Sequence, residues 1–170
     1  MSITLRKLKV EELRELSAMA YIIWRQHYPG VIGPEQTTYM LKKIYSVEAL
    51  QQKYEEKGET FYWICNSADK CGYLSVTPET EGILFLNKMY VMPENRKKGI
   101  GSSLFSLVED IYPWFSQLRL TVNRRNVNAI NFYFKNGFVI DHAEDFDIGE
   151  GFFMNDFVMK RNFVQKATLL

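Results

Sequence analysis

A basic loop with two glycines is the part of the sequence best suited to binding a charged ligand. It reads Arg96-Lys97-Lys98-Gly99-Ile100-Gly101-Ser102 and joins an apolar run, which predicts a buried strand, to a run of helical periodicity. The start of a helix has unpaired backbone N–H groups and the positive end of the helix dipole, so it can hold an anion. Glycines, which lack a Cβ, let the backbone approach a phosphate. The loop therefore predicts a phosphate site, with a plain connection and solvated lysines as the alternative.

Two other phosphate-binding loops are excluded by the residues around Gly99. The dinucleotide fingerprint G-x-G-x-x-G requires a third glycine, and that position is Leu104. The nucleotide P-loop requires Gly-Lys followed by Ser or Thr, and the sequence of this loop does not contain that run. Both kinds of nucleotide site are therefore set aside.

A second pair of polar residues lies on a predicted helix at 126–136. Asn126 and Tyr133 are seven residues apart, so they share one helix face at a separation of roughly 10 Å along the axis. That face can present an amide and a phenol to one ligand. Structural roles compete with this interpretation, because Asn is a common helix N-cap and most of the ten Tyr and twelve Phe must pack in a core.

Seven strands and four helical regions are predicted to position these residues. The predicted strands are 3–8, 61–65, 71–76, 83–91, 118–122, 138–140 and 152–159. The predicted helices run from Val10 to a stop at 28–30, from Pro34 toward Gly58 with a break near Ser46, over 101–112 and over 126–136. The order β-α-α-β-β-β-α-β-α-β-β predicts an α/β protein with a mixed sheet.

Composition limits the class of protein. The 170 residues, 46% hydrophobic and 24% charged, suit one domain, predicted over 1–161 with a tail at 162–170. The net charge of +1 argues against a nucleic-acid partner, and no apolar run reaches the ~20 residues of a membrane span. The N-terminus lacks the apolar run of a secretory signal, and two cysteines neither form a disulfide framework nor close a zinc site. We therefore expect a cytoplasmic protein without a metal, and the oligomeric state stays open, a homodimer included.

The basic glycine loop at 96–102 and the predicted helix at 126–136 both resemble motifs of the GNAT superfamily of N-acetyltransferases. The pattern Arg96-x-x-Gly99-x-Gly101, after Val91-x-Pro93, resembles the acetyl-CoA pyrophosphate loop of that family. A second pattern resembles the family's N-x-x-A-x-x-[FL]-Y-x-x-x-G-F helix, and it reads Asn126-x-x-Ala129-x-x-Phe132-Tyr133-x-x-x-Gly137-Phe138. The resemblance is specific over 83–140 and only architectural over 1–60. Residues 151–159 resemble the closing strand of members that act on small molecules.

The resemblance implies a fold, a cosubstrate and a set of site residues. The implied fold is a single α/β domain whose mixed, mostly antiparallel sheet is flanked by helices and has two strands that splay apart at the acetyl-CoA site. Acetyl-CoA is the implied cosubstrate. The residues implied to bind it are Met89, Tyr90, Val91, Arg96, Lys97, Lys98, Gly99, Ile100, Gly101, Ser102, Asn126, Ala129 and Tyr133. In catalysis, the Val91 amide would stabilise the oxyanion, and Tyr133 would protonate the departing thiolate, because a phenol pKa near ~10 suits a thiol pKa near ~8.5.

The general base is not defined by the sequence. Some polyamine-acetylating relatives carry a carboxylate where this chain has Asn87, so an obvious base is missing. Three routes stay open: deprotonation through ordered water, deprotonation by a residue from the acidic segment at 141–150, or arrival of the substrate as a free amine.

Two further groups of residues are candidates for the acceptor site. Five carboxylates in a predicted loop at 141–150 would form an acidic rim that attracts a cationic amine, with a solvated surface loop as the alternative. They are Asp141, Glu144, Asp145, Asp147 and Glu150, and His142 lies among them. An aromatic box for an amine competes with ordinary helix packing at Trp24, His27, Tyr28 and Tyr39.

The sequence therefore predicts an N-acetyltransferase that transfers the acetyl group of acetyl-CoA to a primary amine by direct attack in a ternary complex. A small cationic amine is the favoured acceptor. The alternatives are acetylation of a protein or peptide N-terminus and a non-catalytic sensor of acyl-CoA.

Overall fold

The computed structural model describes residues 2–56, 58–80, 82–96 and 98–163. Its strands are β1 (Ile3–Lys7), β2 (Thr60–Asn66), β3 (Asp69–Pro78), β4 (Ile83–Val91), β5 (Gln117–Asn123), β6 (Val139–Gly149) and β7 (Phe152–Asn162). Its helices are α1 (Leu13–His27), α2 (Pro29–Ile32), α3 (Pro34–Tyr45), α4 (Val47–Glu56), α5 (Ile100–Ile111) and α6 (Val127–Lys135). Short 3₁₀ turns at Val10–Glu12 and Pro93–Asn95 precede α1 and follow β4.

The strands form one sheet in the order β1-β2-β3-β4-β5-β7-β6. Every neighbouring pair is antiparallel except β4 and β5, which are parallel. Parallel neighbours need a crossover connection, and α5 supplies it between β4 and β5. The predicted α/β fold with a mixed, mostly antiparallel sheet is therefore confirmed.

Helices cover both faces of the sheet and enclose two cores. The residues of α1 that recur at three- and four-residue spacing, such as Leu16, Ala20 and Ile23, are buried with α3 and α4 against one face. Leu104, Phe105 and the other apolar residues of α5 pack with α6 against the opposite face. The sheet thus separates an α1–α4 face from an α5–α6 face.

One extra residue in β4 changes which face its side chains reach. Lys88 is level with Ser75 of β3, whereas Leu86 is level with Val76, so Asn87 is a bulge without a partner. Before the bulge, Leu86 faces the α5–α6 core, and after it, Met89 does so. Because side chains alternate with a period of two, the bulge turns Lys88 and Tyr90 toward the α1–α4 face. The Asn87 side chain donates a hydrogen bond to Thr77 Oγ1 at 2.8 Å, which holds the bulge to β3.

Strands β4 and β5 separate soon after they meet. They are paired only over Ile83–Phe85 and Gln117–Arg119, although both strands continue for several residues. Their later segments, 86–91 and 120–123, diverge and leave an opening within the sheet. The predicted splay between two strands is therefore present.

The structure corrects the prediction of a loop at 141–150. These residues belong to β6, which forms a hairpin with β7 through a two-residue turn at Glu150 and Gly151. Both turn residues have positive φ, 55° and 79°, the arrangement that suits the twist of paired strands. The many carboxylates made this strand resemble a loop in the sequence. Because β6 is an edge strand with mostly exposed side chains, charged residues are tolerated there and discourage further strand pairing.

Other element bounds differ by a few residues. Residues 29–32, predicted to end the first helix, form the separate one-turn helix α2. Strand β7 continues to Asn162, past the predicted domain boundary at 161, and the Phe163 ring lies 5.1 Å from that of Phe115. The rest of the predicted tail, 164–170, lies outside the described residues.

Two compositional expectations can be compared with the structure. Cys65 and Cys71 are both buried free thiols. In the described part of the chain, none of the helices is long and apolar enough to span a bilayer.

A buried ion pair lies in the segment that the bulge redirects. Lys88 pairs with Glu59, both side chains are about 5% exposed, and Ser75 Oγ donates to the same carboxylate at 2.6 Å. We expect Lys88→Met to lower the free energy of unfolding by about 3–5 kcal/mol, because it leaves a buried carboxylate without its cation. Urea denaturation followed by tryptophan fluorescence measures the change.

The matched control is Glu59→Gln/Lys88→Met, which removes both charges and keeps an acceptor for Ser75. This double variant should recover most of the lost stability. A single variant with the wild-type urea midpoint would show that the pair does not stabilise the fold.

Candidate active site

The opening between β4 and β5 is a cleft with a volume of about 1040 Å³. Its walls come from both diverging strands, from the start of α5, from α6 and from the end of α1. It therefore connects the α5–α6 face to the α1–α4 face, and each face contributes different chemistry.

The start of α5 has the properties of an anion site. Gly99 is the N-cap with φ of +76°, no side chain caps the helix, and its first turn contains no acidic residue. A Cβ added at Gly99 would meet nothing within 4 Å, so there is open space over the backbone N–H groups. Ser102 lies in the first turn, exposed and at the cleft. These features fit a phosphate at this helix start.

The other predicted residues of the loop have more varied positions. A Cβ at Gly101 would lie 2.9 Å from the Phe132 ring, so this glycine allows α5 and α6 to pack closely. The Ile100 side chain is in the core, Lys98 is exposed, and Arg96 Nε donates to the Val91 carbonyl at 2.9 Å. Lys97 lies outside the described residues.

Backbone groups of β4 point into the cleft. The Met92 N–H donates to the Cys71 carbonyl of β3 at 2.9 Å. Because backbone groups alternate in direction along a strand, those of Val91 and Met89 point away from β3 and toward β5. The divergence of β5 leaves them facing the opening, which is the position that an oxyanion donor at Val91 requires.

Helix α6 brings both of its predicted polar residues to the cleft. Asn126 is the N-cap, and its side chain accepts from the Ala129 N–H at 3.3 Å, so the capping role is real. Tyr133 lies between the rings of Phe132 and Phe138, with ring centroids 5.3 and 5.4 Å away. Burial raises the pKa of Tyr133 above its usual value, with a further contribution from Tyr28, so this phenol is protonated at neutral pH.

An aromatic cluster forms the wall of the cleft on the α1–α4 face. Trp24 stacks on Tyr28 at 4.0 Å between ring centroids, and the hydroxyl groups of Tyr28 and Tyr90 are 3.0 Å apart. Burial raises the pKa of Tyr28 to about 12. His27 also lines the cleft, and burial followed by the charge of Arg96 lowers its pKa. Three of the four predicted acceptor residues thus meet here.

Tyr39, the fourth of these residues, has a different role. Its ring centroid is 5.0 Å from that of Phe152, and its hydroxyl donates to the Ile148 carbonyl. It joins α3 to the β6–β7 hairpin and does not line the cleft.

The predicted acidic rim is wrong. Asp141 pairs with Lys160, Asp145 pairs with Arg124, and the Asp147 side chain accepts from the Gly149 N–H at 2.8 Å. His142 bonds Asp141 at 2.9 Å, which raises its pKa. None of the five carboxylates lines the cleft, because β6 lies at the sheet edge beyond β7.

A carboxylate that the sequence analysis did not select does line the cleft. Asp156 of β7 is 3% exposed, and burial raises its pKa to about 6. Among the described residues that line the cleft, it is the one acidic residue. The available signal was a single carboxylate inside the predicted strand 152–159, which is otherwise mostly apolar.

A metal site is not part of this arrangement. Within the described ranges, no three His, Cys, Asp or Glu side chains lie close enough together to hold a metal ion.

Comparisons with known proteins agree with this geometry. Residues 57–140 match the family model of the acetyltransferase (GNAT) domain. The chain is 27% identical over 169 residues to a spermidine N(1)-acetyltransferase of Thermoplasma acidophilum, with 96% of this chain and 99% of the relative covered.

Solved structures show the same fold. The PaiA N-acetyltransferase of Thermoplasma acidophilum, in complex with coenzyme A, superposes with a TM-score of 0.77 at 28% identity, covering 96% of this chain and all of that chain. An acetyltransferase of Thermus thermophilus shares the fold with a TM-score of 0.72 at 16% identity, covering 96% of this chain and 98% of that chain. The chain therefore contains a GNAT acetyltransferase domain at residues 57–140, which include the split of the sheet and the uncapped start of α5, and it uses acetyl-CoA as its cosubstrate.

Proposed function

We propose that this enzyme acetylates the primary amine of a small cationic acceptor by direct attack on acetyl-CoA in a ternary complex. The observation that carries the proposal is the cleft itself, which passes between β4 and β5 and opens on both faces of the sheet. Acetyl-CoA would enter on the α5–α6 face and the amine on the α1–α4 face. The two substrates could then meet without a covalent enzyme intermediate.

The residues on the α5–α6 face fit acetyl-CoA. The helix start at Gly99 offers backbone N–H groups to the pyrophosphate, and Ser102 lies beside them. The backbone groups of Met89 and the N–H of Val91 face the opening and suit the amide groups of the pantetheine arm, whereas the Val91 carbonyl accepts from Arg96. Arg96 and Lys98 are exposed cations at the same end of the cleft and suit the phosphates.

Two groups would act on the reacting atoms. The Val91 N–H would donate to the carbonyl oxygen as negative charge develops there, the effect that makes oxyanion donors valuable. Tyr133 would give its proton to the departing thiolate. Its phenol is protonated at neutral pH, as an unperturbed tyrosine also is, so it has a proton to donate.

The acceptor side supports a small amine with positive charge. It is walled by the rings of Trp24, Tyr28 and Tyr90, which can stabilise an ammonium group, and Asp156 supplies negative charge. Lys88 also lines this side, but Glu59 neutralises it. A relative that acts on spermidine agrees with such an acceptor. A thiol-release assay with spermidine, a diamine, a matched monoamine and a peptide N-terminus tests the proposal, which predicts the highest kcat/KM for the first two.

The anion site at α5 can be tested by Ser102→Asp. A carboxylate in the first turn favours the helix itself, so the fold should be retained. It should repel the pyrophosphate, since like charges about 4 Å apart near a protein surface repel by about 1–4 kcal/mol. We expect CoA affinity to fall about tenfold or more by calorimetry.

Ser102→Asn is the uncharged control and should bind CoA nearly as well as the wild type. Equal CoA affinity in Ser102→Asp and Ser102→Asn would place the pyrophosphate elsewhere.

The role of Tyr133 can be tested by Tyr133→Phe, which keeps the ring and removes the proton. We expect kcat to fall about 10²–10⁴-fold with little change in acetyl-CoA affinity. Tyr112→Phe is the matched control. The Tyr112 hydroxyl lies 2.8 Å from the Tyr62 hydroxyl, and Tyr112 does not line the cleft. If Tyr133→Phe and Tyr112→Phe turned over at the same rate, Tyr133 would be a packing residue.

A further inference from the structure

The register of β7 places Asp156 on the acceptor side of the cleft. Its partner on β5 is Asn123, the last residue of that strand. The next residue, Phe157, packs in the α5–α6 core, so Asp156 points to the α1–α4 face. There its side chain is almost fully buried and borders the cleft.

The depth of Asp156 in the cleft matches that of the reacting segment of β4. Parallel strands have their C-terminal ends at the same edge, and Ile83 is paired with Gln117. Counting equally along the two strands from that pair, and allowing for the extra residue of the bulge at Asn87, brings Asn123 roughly level with Tyr90, between the amides of Met89 and Val91. Asp156, beside Asn123, therefore lies across the opening from the β4 amides that face it.

The groups around Asp156 leave it a free carboxylate on the cleft side. Thr121 of β5 and the charge of Arg124 act to lower its pKa, and the charge of Asp145 acts to raise it. Glu144, its register partner on β6, is exposed to solvent. Arg124 is itself paired with Asp145, so it does not neutralise Asp156.

The cleft side of Asp156 is occupied by phenols. Tyr28 of α1 is close enough for the Asp156 charge to contribute to its raised pKa. The Tyr28 hydroxyl is hydrogen-bonded to that of Tyr90, and Tyr28 contributes to the raised pKa of Tyr133. His27, at the end of α1, has a lowered pKa. Burial outweighs the neighbouring charges and holds the pKa of Asp156 near 6, so the group is ionised at neutral pH and more basic than an ordinary Asp.

We propose that Asp156 is the base that takes a proton from the acceptor amine. The inference rests on the proposed N-acetylation. It supplies a general base, which the amide of Asn87 cannot provide. The ammonium gives one proton to the Asp156 carboxylate, and the nitrogen lone pair forms the C–N bond at the thioester carbonyl. The C–S electron pair leaves with sulfur, which takes the Tyr133 proton, and the surplus proton of the new amide restores the phenol. Asp156 then releases its proton to solvent.

The test compares Asp156→Asn with the wild type across pH, using the best acceptor of the amine panel. Wild-type kcat/KM should rise with pH through about 6 as the carboxylate ionises. In Asp156→Asn this rise should vanish, and kcat should fall about 10²–10⁴-fold at neutral pH. CoA affinity by calorimetry should be unchanged, which shows that the variant is folded.

A second acceptor separates a base from a structural group. Trifluoroethylamine is largely unprotonated at neutral pH and needs no base before attack, so the defect of Asp156→Asn should shrink with it. Glu144→Gln, which removes the exposed carboxylate opposite Asp156, is the matched control and should keep wild-type rates and pH dependence.

Three results for Asp156→Asn would overturn the proposal. The first is a change in KM alone with the rise of kcat/KM through about pH 6 retained. The second is an equal loss of rate with both amines, and the third is loss of CoA binding. Absence of turnover with every amine in the wild-type enzyme would instead overturn the proposed function.

Discussion

The separation of β4 from β5 is the constraint on which the rest of the structure depends. Inside a sheet, each strand normally satisfies the backbone groups of its neighbours, and unpaired buried groups are costly. Here the pairing ends after Phe85, so the later part of β4 has a free edge in the middle of the molecule. Backbone groups that no strand satisfies are available to a ligand. The cleft is therefore lined by backbone groups that lack their usual partner strand.

The bulge at Asn87 makes that edge usable on both faces. Without it, Lys88 and Tyr90 would face the α5–α6 core, which is apolar. With it, Tyr90 joins Tyr28 on the α1–α4 face, and Lys88 reaches Glu59. Met89 is turned to the α5–α6 face. One inserted residue thus sets which side chains of β4 lie on each face of the cleft.

Much of the fold follows from sequence, since buried elements carry clear patterns. The apolar run 83–91 predicted β4 with both ends correct, and Pro34 marked the start of α3. Strand β6 was predicted only over 138–140, and its continuation to Gly149 was missed because an exposed edge strand has no buried face and hence no alternation. Tyr133 and Asn126 were selected by the resemblance of their helix to a GNAT motif, and both lie at the cleft.

The remaining features depend on register, which spacing along one chain does not determine. The position of Asp156 at the cleft follows from its pairing with Asn123, and the need for Gly101 follows from the approach of Phe132 across two helices. The bulge at Asn87 becomes visible only when β3 is aligned with β4. These positions require partners distant in sequence.

The charged edge strand has a consequence for assembly. Two copies that met antiparallel along β6 would bring the carboxylates of 141–150 of one copy against those of the other. Like charges directly opposite each other destabilise strand pairs, so joining the two sheets into one is unfavourable at neutral pH. The carboxylates that the sequence suggested for substrate attraction lie instead on an exposed sheet edge, where charge disfavours the addition of a second sheet.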